Sequence, residues 1–207
     1  MRARFQLSVH IEEWATRTPF RITGRQIESF RIVVAVISDG VHEGRGEGHP
    51  IHYLGETAES VQRQIEARAG EIEAGLGQTE LLTLLPRGAA RCAVDCALWD
   101  LQAKLAGRRV WELLEITPRS LATAFTIGLE DTPQAMGERA RAAAGYSILK
   151  IKVNADRPVE RVAAIRAVRP DARLMVDANK AWTFQELVDI APRLSRLGVR
   201  CPGRIFR

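Results

Sequence analysis

The pattern of hydrophobic and polar residues changes character near the middle of the chain. Apolar and polar residues alternate over 5–11, which predicts a half-buried strand. A second apolar stretch over 29–37 ends at the turn Asp39-Gly40 and predicts a second strand. We interpret the polar segment 17–25 as the loop between these strands. Residues 44–56 are rich in glycine, so we expect no regular structure there.

Two helices are predicted next. Thr57 is a candidate cap for a helix that begins near Glu56 and ends near Ala74. A second helix begins after Pro86 and ends before Gly107. Its apolar positions follow the helical period, which predicts a buried face made of Ala90, Val94, Leu98, Leu101 and Leu105.

From Ser120 onward, short apolar runs alternate with amphipathic segments. This order is typical of a parallel βα sheet or barrel, and it places a domain boundary near Pro118. The predicted strands cover 121–127, 148–153 and 173–176, and the predicted helices cover 131–144, 158–168 and 183–197.

Composition and charge bound the class of protein only loosely. The 207 residues are 46% hydrophobic and 27% charged, as in a folded globular protein. The net charge is +5, and Arg200, Arg204 and Arg207 in the last eight residues supply three of these charges. In the rest of the chain basic and acidic residues are interleaved, so we expect neither a nucleic-acid partner nor a membrane partner. The first residues show no apolar signal-peptide core and no window resembles a membrane span, so we expect a cytoplasmic protein.

The cysteines are Cys92, Cys96 and Cys201, an odd number that favours reduced thiols. Cys92 and Cys96 are four residues apart and could share a helix face. Two thiols without a further His or Cys pair make a poor zinc site, so we expect them to be small residues facing the core.

Charged residues mark the second and third strands of the βα region. Lys150 and Lys152 lie on one face of a strand, where two adjacent ammonium groups repel and one can become a base. A surface strand also carries lysines at this spacing, so that alternative stays open. Asp177 and Asn179 follow an apolar strand and offer oxygen ligands of the kind Mg²⁺ prefers, although such an aspartate can also cap a helix or turn. Both pairs lie where a (β/α)₈ barrel carries its active site.

Three segments together carry a family resemblance. The helix 90–104, the Lys-x-Lys strand at 150–152 and the Val-Asp-Ala-Asn segment at 176–179 have the order and spacing of the enolase superfamily. Over about residues 1–199 the chain resembles its muconate-lactonizing and mandelate-racemase-like branch. The segments most similar to dipeptide (L-Ala-D/L-Glu) epimerases are 18–20, 46–48, 55–57 and 125–128.

The resemblance implies an α+β capping domain over 1–118, followed by an incomplete (β/α) TIM-type barrel domain over 119–207. The barrel part would hold about three of the eight βα units. The implied reaction is that of an isomerase, which removes the proton α to a carboxylate bound to Mg²⁺. A muconate cycloisomerase, an o-succinylbenzoate synthase and a non-catalytic fragment remain alternatives.

The resemblance also implies roles for single residues. Lys152 would be one base, and Lys150 would act beside it and contact the substrate carboxylate. Asp177 would be a metal ligand, with Asn179 in a supporting role.

Two further residues would contact a small-molecule substrate, a dipeptide or another carboxylate. Thr126 would do so at the end of the first barrel strand and Arg25 from the capping domain. The alternatives are an ordinary barrel residue and a loop cation. Assembly into a homo-oligomer is left open.

The sequence departs from the family after Val199. A fourth strand should end in a glutamate metal ligand, but residues 200–207 contain no carboxylate and place Pro202 and Gly203 in the strand. We interpret this segment as out-of-register coding or a truncated end. We therefore expect the chain alone to be poorly soluble and to lack epimerase activity.

Overall fold

The structure is a computed structural model that describes residues 4–202, with side chains described over 4–199. The chain forms two compact units. The first contains the residues up to Ala15 together with Ser29–Arg119, and the second contains Thr16–Glu28 and the residues from Ser120 onward. Each unit is described by itself below.

The first unit combines an antiparallel sheet with helices. Strands β1 (Gln6–Ile22), β2 (Arg25–Ser38) and β3 (Glu43–Gly48) lie in the order β1-β2-β3, and the tip of the β1–β2 hairpin belongs to the second unit. The helices are α1 (Ala58–Glu66), α2 (Ala69–Glu73), α3 (Gln78–Leu84), α4 (Ala89–Leu105) and α5 (Val110–Leu113).

The prediction of a loop over 17–25 is wrong. Strands β1 and β2 continue through it and leave only the turn Thr23-Gly24, where Gly24 has a φ of 71°. Pro19 misled the interpretation, because a proline without an N–H group is tolerated in β1, an edge strand of this sheet.

The glycine-rich segment also contains regular structure, contrary to the prediction for 44–56. Strand β3 pairs with β2 over Glu43–Gly48. Its alternate glycines lie so close to α4 that an added Cβ atom would overlap the helix backbone. The overlaps would be between Gly44 and the carbonyl oxygen of Ala97, Gly46 and that of Ala93, and Gly48 and that of Ala89.

The helix predicted over 56–74 is two helices, α1 and α2, and α3 was not predicted. The Thr57 cap is confirmed, because its Oγ1 atom accepts a hydrogen bond of 3.1 Å from the backbone N–H of Ser60.

The core face of α4 is confirmed except at its end. Ala90, Val94, Leu98 and Leu101 are buried, whereas Leu105 is 45% exposed. The expectation that Cys92 and Cys96 face the core is wrong, since both are exposed. Ala89, Ala93 and Ala97 are among the helix residues that lie against the β3 glycines, and their small side chains allow the close approach of helix and strand.

The second unit contains a parallel βα segment, as the sequence predicted. Strands β4 (Ala124–Ile127), β5 (Ile148–Lys152), β6 (Arg173–Asp177) and β7 (Val199–Pro202) form a parallel sheet in that order. Helices α6 (Pro133–Ala142), α7 (Pro158–Val168) and α8 (Phe184–Arg196) connect them.

The fourth strand of the parallel sheet extends further than expected, to Pro202. Strand β7 includes Pro202, which pairs with Val176 after an irregularity between Leu174 and Met175. Residues 203–207, the remainder of the segment that we interpreted as out of register, lie outside the described residues.

The two faces of the parallel sheet differ in chemistry. Leu149, Ile151, Leu174 and Val176 are buried in a core cluster with residues of the three helices. The alternate positions carry Lys150, Lys152 and Asp177 on the opposite face. Within residues 4–202, no helix is long and apolar enough to span a membrane.

Candidate functional site

Four of the residues predicted from the sequence come together at the carboxyl ends of β5 and β6. The Lys152 Nζ atom donates to Asp177 Oδ2 at 2.9 Å and to Asn179 Oδ1 at 2.8 Å. The Lys150 Nζ atom forms an ion pair with the same Asp177 Oδ2 atom, also at 2.9 Å. One carboxylate therefore holds two ammonium groups.

Strand register explains this arrangement. Lys152 lies directly opposite Asp177 in the β5–β6 ladder, so their side chains share a face. Asn179 then turns the chain with a left-handed φ of 49°, which asparagine tolerates better than most residues. Its backbone N–H donates to Asp177 Oδ1 at 3.0 Å, so both carboxylate oxygens have partners.

Burial and charge together set the protonation of Asp177. Its side chain is only 6% exposed, and the Lys152 side chain is 10% exposed. Burial raises the pKa of Asp177, but hydrogen bonds from Lys152, Lys150 and the backbone of Asn179 outweigh it and hold the pKa below its usual range. The three charged side chains therefore leave one positive charge in excess.

The two predicted substrate contacts lie differently. Thr126 pairs with Lys150 in the β4–β5 register and is half-buried beside the cluster. Arg25 is exposed at the start of β2, and within the described residues it forms no hydrogen bond or ion pair with the cluster.

The described residues do not fit a complete Mg²⁺ site. Over 4–199, no three His, Cys, Asp or Glu side chains are placed to hold a metal ion together. The one carboxylate in the cluster, Asp177, already accepts from two lysines and one backbone N–H. Mg²⁺ is usually held by more oxygen ligands than this carboxylate leaves free.

Thr23, at the turn of the β1–β2 hairpin, also lies at the site and was not predicted from the sequence. Its Oγ1 atom lies 3.3 Å from both the Val153 and the Ala178 carbonyl oxygens, the residues that directly follow Lys152 and Asp177. No sequence signal could have shown a contact between positions so far apart in the chain. Thr23 joins the two strand ends that carry the charged cluster.

We expect Thr23→Val to lower the free energy of unfolding of the second unit by about 1 kcal/mol. Valine has nearly the size of threonine, but its methyl group cannot donate a hydrogen bond to the two carbonyl oxygens. Thr23→Ser, which keeps the hydroxyl group, is the control and should unfold as the wild type does. Urea titration followed by circular dichroism measures both. Equal stability of the valine and serine variants would contradict a role for the hydroxyl group.

Comparison with known proteins identifies relatives that match most of the chain. The L-Ala-D/L-Glu epimerase of Escherichia coli is 38% identical over 93% of this chain and 61% of that protein. The N-acetyl-D-glutamate racemase of a Pseudoalteromonas species is 35% identical over 81% of this chain and 54% of that protein. The chain thus spans between half and two thirds of the length of these relatives.

Two solved structures of similar proteins also match nearly the whole chain. An enolase family member from Agrobacterium tumefaciens with homology to dipeptide epimerases, crystallised with sodium and L-Ala-L-Glu, superposes with a TM-score of 0.93. It is 36% identical and covers 98% of this chain and 62% of its own. A dipeptide epimerase from Enterococcus faecalis, crystallised with Mg and L-Leu-L-Tyr, is 27% identical with a TM-score of 0.89 and covers 99% of this chain and 62% of its own.

Family patterns match both parts of the chain. Residues 134–201 match the enolase C-terminal domain-like family. Residues 4–115, more than half of the chain, match the N-terminal domain of the mandelate racemase and muconate lactonizing enzymes. The chain therefore belongs to the enolase superfamily, in the branch of the mandelate racemase and muconate lactonizing enzymes.

Proposed function

We propose that the charged cluster is a proton-abstraction site of a dipeptide epimerase-like isomerase. The observation that carries the proposal is the contact of Lys150, Lys152 and Asp177 at the ends of adjacent parallel strands. The carboxyl ends of strands are where barrels of this type place their catalytic groups. The similarity to an L-Ala-D/L-Glu epimerase supports dipeptides as the substrate class.

In this proposal Lys152 is one base. It takes the proton from the carbon α to the substrate carboxylate, and the electron pair left behind spreads onto that carboxylate. Lys150, which is 38% exposed, contacts the carboxylate from the open side. Lys152 now donates to Asp177 and Asn179, so it must lose a proton and give up at least one of these contacts before it can accept another.

Thr126 and Arg25 are proposed substrate contacts, Thr126 because it neighbours Lys150 and Arg25 by resemblance alone. Asn179 is the proposed support of Lys152 through its 2.8 Å hydrogen bond.

We further propose a capping domain over 1–118, a barrel domain over 119–207 and a cytoplasmic location. A homo-oligomer stays open.

Mg²⁺ is proposed only for a protein that adds further carboxylates to Asp177. Crystals of a related epimerase contain Mg, which supports the metal for the family. The described cluster contains one carboxylate, Asp177, so we assign no step to the metal.

We expect the 207-residue chain alone not to convert L-Ala-L-Glu into L-Ala-D-Glu, even with added Mg²⁺. Inversion needs a base on each face of the α carbon, and both lysines of the described cluster come from the same strand, β5. Chiral chromatography of the hydrolysed dipeptide after long incubation tests this, with the Escherichia coli epimerase as the positive control. Turnover by the purified chain would contradict the expectation.

A further inference from the structure

The cluster has an excess of positive charge, which favours the binding of an anion. Two ammonium groups meet one carboxylate, and no other acidic side chain forms an ion pair with either lysine in the described part of the chain. An ammonium group has three donors. Lys150 uses one of them on Asp177 and is the exposed member of the cluster, so it can donate to a ligand from solvent.

The same excess of positive charge disfavours the binding of a divalent cation. Such a cation would have to separate Asp177 from two lysines, each 2.9 Å away, in surroundings that carry excess positive charge. The amide oxygen of Asn179, another oxygen ligand in the cluster, already accepts a hydrogen bond from Lys152. Burial strengthens these contacts, because charges interact more strongly away from water.

We propose that in this chain the sheet face of Lys150, Lys152 and Asp177 binds a small monocarboxylate anion and needs no divalent cation to do so. A monoanion neutralises the single excess charge. Lys150 is the exposed lysine of the cluster, and the half-buried Thr126 pairs with it in the β4–β5 register, so both residues present side chains on the face that such a ligand would meet. The class of ligand, a carboxylate, rests on the proposed function. The new element is that this chain would bind it without a metal ion.

The first test uses nuclear magnetic resonance on the ¹⁵N-labelled full chain. Sodium acetate is titrated against sodium chloride at equal ionic strength, and Mn²⁺ is titrated separately as a paramagnetic substitute for Mg²⁺. We expect acetate to shift the amide signals of 150–153 and 177–180 with saturation in the millimolar range. Mn²⁺ should cause no selective broadening there. Broadening centred on Asp177, or absence of acetate shifts, would overturn the proposal.

Substitutions distinguish an anion site from a metal site, because acetate affinity changes in opposite directions at the two. Asp177→Asn should tighten acetate binding by about fivefold, because it removes the competing carboxylate, whereas it would abolish binding at a metal site. Lys150→Gln should weaken acetate binding by a similar factor. If Asp177→Asn fails to fold, Lys150→Gln alone decides, and unchanged affinity overturns the proposal.

The chain offers matched controls in the pair Lys104–Asp100, whose Nζ and Oδ2 atoms are 2.8 Å apart on α4. Asp100→Asn and Lys104→Gln change the net charge as the test variants do, but far along the chain from the cluster. Both should bind acetate as the wild type does, and a change equal to that of the test variants would overturn the proposal. Acetate is not a dipeptide, so failure of this test leaves the isomerase proposal standing, and that proposal is judged by turnover of L-Ala-L-Glu in a chimera that supplies the rest of the barrel.

Discussion

Gly46→Ala is expected to prevent stable folding of the first unit, although it adds only one methyl group. The added Cβ atom would overlap the carbonyl oxygen of Ala93 and the backbone nitrogen of Ala97, and it would lie 2.8 Å from Cys96 Cβ. These are mostly helix backbone atoms that cannot move away as a side chain can. Strand β3 and helix α4 must separate, and we expect a loss of more than about 3 kcal/mol.

Gly70→Ala is the matched control for this prediction. Gly70 lies in α2, and nothing lies within 4 Å of an added Cβ atom there. Alanine is the better helix former, so this variant should be as stable as the wild type or more stable by up to about 1 kcal/mol. Thermal unfolding followed by circular dichroism compares the two. Similar melting temperatures for both variants would show that β3 and α4 are not held by this close contact.

Lys152→Ala is expected to have the largest effect on catalysis, measured in a chimera that supplies the rest of the barrel. Residues 1–199 would be joined to the part of the Escherichia coli epimerase that follows its matched region. We expect the chimera to epimerise L-Ala-L-Glu, and Lys152→Ala to lower kcat/KM by about 10³-fold, since a positioned base contributes on that order.

Lys104→Ala is the control in the same chimera. Lys104 belongs to an exposed ion pair on α4, so its loss should leave kcat/KM unchanged. An active chimera in which Lys152→Ala retains most of its activity would contradict the role of Lys152 as a base.

The βα region and the charged cluster could be predicted because their signals are local. Pro158 and Val168 bound α7 as predicted, since a proline at the first helical turn and the apolar period are both visible in the sequence. Alternation placed Lys150 and Lys152 on one face, and parallel strand order placed Asp177 beside them.

The remaining features depend on contacts between distant segments. The glycines of β3 resemble a loop until α4 is placed against them, because the strand forms only through that packing and its pairing with β2. The exposure of Cys92 and Cys96 could not be predicted from their spacing, which places both on one helix face but does not say which face is buried. The role of Thr23 requires the hairpin tip to lie at the ends of β5 and β6.

The central claim, that Lys152 is a base acting on one face of the α carbon, is tested most directly by hydrogen exchange in D₂O. The Lys152→Ala chimera would be incubated separately with L-Ala-L-Glu and L-Ala-D-Glu, and the glutamate α-proton signal followed by ¹H nuclear magnetic resonance. We predict that the signal decays for only one epimer, whose proton faces the remaining base. Equal decay or equal persistence for both epimers, in a variant that is folded, would contradict the claim.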